Sequence, residues 1–291
     1  MIRHLLERLL VWPQYVLPQH GLSRAVYHLS RWTFSPWKNL LIRMFIRAFR
    51  VDMAEAGITD PTGYDCFNSF FTRALKPGAR PHEHSPDRVI CPVDGYLSEF
   101  GTVSDEQMIQ AKGKSFTLDG LLAGNAGLVD SFRDGYYATL YLAPRNYHRI
   151  HMPSQGRLQQ VIYVPGCLFA VNGHTVRHVD RLFSRNERAI TVFSTPCGRM
   201  ALIMVGAIFV GSMETVWAGE INSPYPKAVR TDNYEKLPRA IELEQADEMG
   251  RFNMGSTVIL LFEKGSITWL DSLVPGQGVR MGETIAKRKM T

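Results

Sequence analysis

No two of the four cysteines, Cys66, Cys91, Cys167 and Cys197, stand close enough to make a CxxC pair. That absence removes the usual signal for a zinc ribbon or a disulfide scaffold and suits a reducing compartment. Long apolar runs are missing too. The longest nearly apolar stretch, 200–210, is about half a bilayer span and contains Gly206, so no transmembrane helix is expected. Glu7 and Arg8 interrupt any signal-peptide core and no small-residue cleavage site follows, so export is not expected either. No serine sits in a GxSxG elbow, which gives an ordinary esterase little support. Repeats and low-complexity tracts are absent. Acid is nearly missing from the first 50 residues, where eight Arg/Lys face Glu7 alone. That segment is +7 in a chain of 291 residues whose total is +6.

What is present describes a folded protein. Hydrophobic residues at 45% and charged residues at 21% suit one large globular domain or two small ones. The basic N-terminus is rich in Leu, Trp and Phe, unlike a polar nucleic-acid arm, so no nucleic acid is expected as partner. Two stretches there have helical period. In the first, Ile2, Leu5, Leu6, Leu9 and Trp12 share a face opposite Arg3, His4, Glu7 and Arg8; in the second, Leu41, Ile42, Phe45, Ala48 and Phe49 oppose Arg43, Arg47 and Arg50. Such faces suit helices lying in an anionic lipid interface, although ordinary core packing has the same period.

Residues 61–81 read as loop and short helix, broken by Pro77, Gly78 and Pro81. From about residue 89, strand-like runs follow at 137–143, 158–164, 189–194, 200–211 and 257–262, separated by Gly/Pro turns. The expected fold is α+β: an amphipathic, membrane-associating helical region over 1–85 on a mainly antiparallel β core over 86–291.

Several residues have chemical potential. Asp94 lies in a turn-like Pro-Val-Asp-Gly, where an Asx-turn is the plain reading. His148 and His151 are three apart, sharing a face if that segment is helical and pointing oppositely if it is extended. His174 and His178 add two imidazoles, but HxxH and HxxxH without a fixed Cys or carboxylate partner signal zinc only weakly. Ser256 follows Gly255 where an apolar run begins, and a bend there is the plain reading. Together Asp94, His151 and Ser256 are the three types a nucleophilic serine needs. The attack could fall on the carbonyl of Gly255 itself, where a glycine lowers the cost of an exposed, strained backbone.

Seven segments in order carry a resemblance: "FFTRALKPGARP" (70–81), "PVDGYLSEFG" (92–101), "YLAPRNYHRIHMP" (141–153), "VPGCLFAVN" (164–172), "LFSRNERAI" (182–190), "VGAIFVGSMETVWAGEI" (205–221) and "EMGRFNMGSTVILLF" (248–262). The chain resembles the bacterial pyruvoyl-dependent phosphatidylserine decarboxylases from about residue 61 to near 265. The family's self-cleavage motif, Leu-Gly-Ser-Thr, reads Met254-Gly255-Ser256-Thr257 here, and the Leu→Met change keeps bulk and apolarity. The Gly-Ser pairs at 211–212 and 265–266 lack that context.

The resemblance implies that Ser256 attacks the Gly255 carbonyl, cutting the chain into a β chain (1–255) and an α chain (256–291) that begins with a covalent pyruvoyl group. Asp94 and His151 match the charge-relay partners of that step, and His148 matches the histidine of the decarboxylation. It also implies conversion of phosphatidylserine to phosphatidylethanolamine plus CO2 through a Schiff base with the pyruvoyl ketone. Neither pyridoxal phosphate nor a metal is then expected. An anionic membrane surface held by residues 1–50, peripheral placement on the cytoplasmic side, and a homodimer of αβ units complete the expectation. A soluble amino-acid decarboxylase, a triad hydrolase and a non-catalytic lipid-binding protein are the competing readings.

Overall fold

The computed structural model describes residues 7, 11–209, 212–222, 227–254 and 257–289. Most of the first amphipathic stretch lies outside them. Of its residues, Glu7 is helical and buried, while Trp12 opens a short 3-10 turn, Trp12–Tyr15, and is 67% exposed. The helix Gln19–Ser30 follows, then Ser35–Phe49. The latter has Pro36 in its first turn, where a fixed φ is tolerated, and stops at Arg50 in the left-handed region, φ 54°. It contains the second amphipathic stretch. Its stripe of Leu41, Ile42, Phe45 and Ile46 packs on Tyr64, Phe67, Phe70 and Phe71, but Ala48 and Phe49 of the expected inner face are exposed. This small cluster is separate from the main core.

The main sheet has nine antiparallel strands. Its path runs Arg230–Asn233, Gly156–Val164, Arg188–Thr195, Gly198–Val205, Thr257–Phe262, Tyr136–Tyr141, Gly95–Thr102 and Gly278–Val279, and Glu242–Leu243 also pairs with Gly156–Val164. Thr257–Phe262 is central, laddered on both sides, with all six residues buried. A strand covered on both faces reads as an unbroken apolar run, as this one does. The expected strand over 200–211 ends earlier, at Val205. There Gly206 turns its amide to the Glu187 carbonyl at 2.8 Å and leaves the ladder.

A four-stranded sheet orders Gly219–Glu220, Met213–Thr215, Glu248–Phe252 and Arg149–His151. The chain therefore leaves one sheet at Phe252 and enters the middle of the other at Thr257. The N-terminal helices are docked on this core rather than free. Gln19 and Gln14 accept from the amides of Leu168 (2.7 Å) and Ala170 (2.8 Å), and Arg31 pairs with Glu220 at 2.9 Å. The architecture is mixed helix and antiparallel sheet.

Candidate active site

Asp94 ends the loop between the strands Arg88–Ile90 and Gly95–Thr102. A Cβ on Gly95 would lie 2.3 Å from the Tyr141 carbonyl oxygen, so only glycine lets the second strand start against its neighbour there. The Asp94 carboxylate is buried. It accepts from Arg80 Nε at 2.9 Å, from Arg80 Nη2, and from the Met281 amide at 3.0 Å. A buried, bidentate ion pair thus replaces the Asx-turn reading. Arg80 also reaches Glu55 at 2.7 Å, and the bond to Asp94 chiefly holds its pKa above the usual guanidinium value.

His151 closes the strand Arg149–His151, and its amide donates to the Pro92 carbonyl at 2.9 Å, which brings it beside the Asp94 loop. Its ring is spanned at both nitrogens. Nδ1 lies 2.7 Å from the Ala246 carbonyl oxygen, which requires a proton at Nδ1. Nε2 is then the acceptor for the Tyr147 hydroxyl at 2.9 Å. The tautomer is set here by a backbone carbonyl, while Asp94 is engaged with Arg80 and Met281. Burial lowers the His151 pKa, against the pull of the Ala246 bond, and burial raises that of the Tyr147 hydroxyl. A neutral imidazole with its lone pair at Nε2 is the form a general base needs.

The segment 148–151 is extended, so the two histidines occupy separate surroundings. His148 is fully buried and stacked on Phe71, ring centroids 4.0 Å apart and planes 21° from parallel. Nε2 is 3.4 Å from the Pro144 carbonyl oxygen, and Nδ1 has no hydrogen-bond partner. Burial, and next the charge of Arg73, push the His148 pKa down to about 3. The ring is neutral at physiological pH.

Gly255 and Ser256 lie outside the described residues, but both flanks are described. Asn253 is buried and bonded on all sides. Its amide donates to the Ser212 carbonyl at 2.9 Å, its side chain donates to Ser212 Oγ at 2.6 Å, and its side-chain oxygen accepts from Asn68 at 3.0 Å. Met254 follows at φ 107°, a costly region for a residue with a Cβ. Two apolar cavities share Met254. One, about 390 Å³, is walled by the N-terminal helices, including Leu29, Trp37, Met44 and Phe45; the other, about 240 Å³, by Phe71, Tyr141, Leu142 and Pro144 among others. Beyond the dipeptide, Thr257 is buried with its hydroxyl unpartnered. A third space, a polar cleft of about 430 Å³, holds Asp94, Arg80 and Tyr147.

His174 and His178 do not join this region. They lie on the helix Gly173–His178 and face Glu7 at 3.1 and 3.8 Å, beside the Arg177 cation. Among the described residues no group of three or more His, Cys, Asp or Glu side chains is arranged to hold a metal ion.

Sequence reasoning overlooked Arg80, Tyr147, Ala246 and Asn253. Arg80 and Tyr147 stand inside the segments 70–81 and 141–153, so a signal was there. Ala246 acts through its carbonyl, which any residue supplies.

Known proteins resemble this chain over most of its length. A family model described as phosphatidylserine decarboxylase matches residues 67–287, and a second, described as PSD, matches 9–50. A phosphatidylserine decarboxylase proenzyme of Methylococcus capsulatus is 48% identical over 270 residues, covering 92% of this chain and 93% of its own. Proenzymes of the same name from Alkalilimnicola ehrlichii and Azotobacter vinelandii are 53% identical over 248 residues (85% of each chain) and 45% identical over 283 (97% of this chain, 98% of the relative). The chain belongs to the phosphatidylserine decarboxylase family.

Proposed function

We propose that this protein decarboxylates phosphatidylserine to phosphatidylethanolamine, using a pyruvoyl group made from Ser256 when the chain cuts itself after Gly255. One observation carries the reading: the junction between the two sheets. Asn253 is pinned, Met254 is held at φ 107°, and Thr257 is locked into a central strand, so torsional strain is concentrated beside the Gly255–Ser256 bond. The relatives' name, proenzyme, accords with maturation by cleavage.

In the self-cleavage, Ser256 Oγ attacks the Gly255 carbonyl. His151 takes the hydroxyl proton at Nε2, exchanging the Tyr147 bond for the serine. The Asp94–Arg80 pair holds the loop whose Pro92 carbonyl anchors the His151 backbone, and the carboxylate favours the imidazolium that forms. The unpartnered polar atoms beside the junction, His148 Nδ1 and Thr257 Oγ1, suit a site that receives polar groups. The pyruvoyl ketone supplies the electron sink that loss of CO2 requires and that no side chain provides. His148, neutral and shielded from water, binds the head group through Nδ1 and moves a proton there. The mature enzyme would comprise the helical region 1–85 and the catalytic core 86–291, the latter cut at 255/256, with αβ units paired as in the family expectation.

We also propose peripheral attachment to the cytoplasmic face of the membrane. Large apolar side chains are exposed along residues 12–49, among them Trp12, Trp32, Phe34, Leu40 and Met44, each more than half exposed. Arg43 and Arg47 are exposed on the same helix. Apolar and basic groups together are what an anionic interface binds. Among the described residues no helix is long and apolar enough to cross a bilayer.

Intact-mass spectrometry of wild type beside Ser256→Ala tests the maturation. The expected result is chains 1–255 and 256–291, the latter one ammonia lighter than a serine-started peptide, with the variant whole. CO2 release from phosphatidylserine vesicles by the cut protein alone completes it. An uncut wild type that releases no CO2 sinks the reading.

A further inference from the structure

Arg73 is an anomaly. Its side chain is buried, with the residue only 4% exposed, yet it makes no ion pair among the described residues. Nη2 donates to the carbonyl oxygens of Arg145 and Asn146 at 3.2 and 3.5 Å, while Nε and Nη1 have no partner. A buried guanidinium without a counter-charge is costly, and Arg73 shows that cost as a pKa lowered chiefly by burial. The buried Arg188 looks different. It spreads its donors over the carbonyls of Gly120, Leu121, Ser184 and Asn186.

Arg73 lines the polar cleft of about 430 Å³. The carboxylates that share the cleft are already engaged. Asp94 and Glu55 bind Arg80, Glu55 also binds Arg280, Asp52 accepts from the Ala54 amide, and Glu283 accepts from the Arg280 amide. Arg50 and Arg145, both exposed at the cleft, have no carboxylate partner among the described residues. Arg145 is bonded to the Tyr96 hydroxyl. The cleft thus holds an excess of fork-shaped donors, the geometry suited to a phosphate-type oxyanion.

The turn 144–147 connects this donor to the candidate active site. Its Pro144 carbonyl faces the His148 ring, and its Arg145 and Asn146 carbonyls face Arg73. The Arg73 charge is also felt at His148.

We propose that Arg73, with Arg50 and Arg145 at the rim, forms an oxyanion subsite that grips the phosphodiester of the phosphatidylserine head group next to His148. This deepens the decarboxylase reading and rests on it for the identity of the ligand. A free phosphate ion has the same chemistry and is separated from the lipid by the test.

Binding is read without catalysis, by calorimetric titration of glycerophosphoserine into full-length Ser256→Ala protein. Arg73→Gln in that background is expected to weaken binding by about ten- to a hundredfold, the range for losing a charge-assisted bond. Arg73→Lys, which keeps the charge without the fork, should fall between the two. In the mature enzyme, Arg73→Gln should raise KM for a short-chain phosphatidylserine by a similar factor. Unchanged affinity and KM overturn the subsite and leave the decarboxylase reading intact. A wild type that releases no CO2 but binds glycerophosphoserine through Arg73 overturns the reaction and keeps the subsite. Inorganic phosphate binding as tightly as glycerophosphoserine overturns the head-group assignment. If the Arg73 variants do not fold, exposed Arg50→Gln takes their place, with a severalfold loss expected and no change overturning the proposal.

Discussion

His148 sets the first expectation, at the scale of one residue. Its folded pKa of about 3 lies below the ordinary 6.5, so the unfolded chain takes up the proton first as pH falls. Its contribution is therefore intact above about pH 6.5 and is lost progressively toward pH 3. Between pH 7 and 5 this one group should remove about 2 kcal/mol of stability. Urea unfolding of Ser256→Ala protein, which stays one chain, checks this against the same protein carrying His148→Leu. The double variant should show a shallower acid loss, and equal slopes would refute the assignment. His151 shifts in the same direction, so some acid sensitivity remains in both. Asp94, His148 and His151 could be singled out because each stands in a segment that carries the family resemblance. Arg80 and Tyr147 stand in such segments too but were passed over, because their importance depends on neighbours brought from elsewhere. Arg80 matters through Asp94 and Glu55, and Tyr147 through the far nitrogen of His151.

Between elements, the join at 253–256 decides behaviour. Asn253 fastens the end of the strand Glu248–Phe252 to Ser212 and Asn68 before the chain passes into Thr257–Phe262. Asn253→Ala removes those bonds yet leaves both ladders, so the protein should fold but cut itself more slowly, by about tenfold for each bond-sized loss of preorganisation. A time course of chain separation on a denaturing gel measures it. Cleavage at the wild-type rate would show that the fastening is only structural. The central strand was readable as a bare apolar run. The four-stranded sheet was not, since its strands are two to five residues long and carry Glu214, Glu220, Glu248, Arg149 and Arg251 in ion pairs. The helix Gln19–Ser30 also escaped, because Leu22, Val26 and Leu29 are diluted by Gly, Ser and His.

For the whole molecule, the distribution of exposed apolar side chains predicts where it sits. Full-length protein should co-sediment with vesicles containing phosphatidylserine. Raising salt from about 0.1 to 1 M shortens the screening length from ~10 to ~3 Å and should weaken but not abolish that binding. Replacing Trp32, Phe34 and Met44 together by Ser should cost at least about tenfold in vesicle affinity while leaving the fold, since all three are more than half exposed. Unchanged binding by that triple variant would remove the helices from the membrane contact.

The position of Thr257–Phe262 has one more effect. It is laddered on one side to Tyr136–Tyr141 and on the other to Gly198–Val205, and Thr284–Arg288 pairs with Arg88–Ile90. A cut before Thr257 therefore leaves a short fragment threaded through a large one. Before the cut, every such pairing is an encounter within one molecule, independent of dilution; afterwards the same pairings join two molecules. Once the mature protein is pulled apart, its recovery becomes second order and slows with dilution, whereas the uncut precursor recovers at a rate that dilution does not touch. With the cut proposed above, the fold would be assembled as one chain and held afterwards as two chains joined by these ladders.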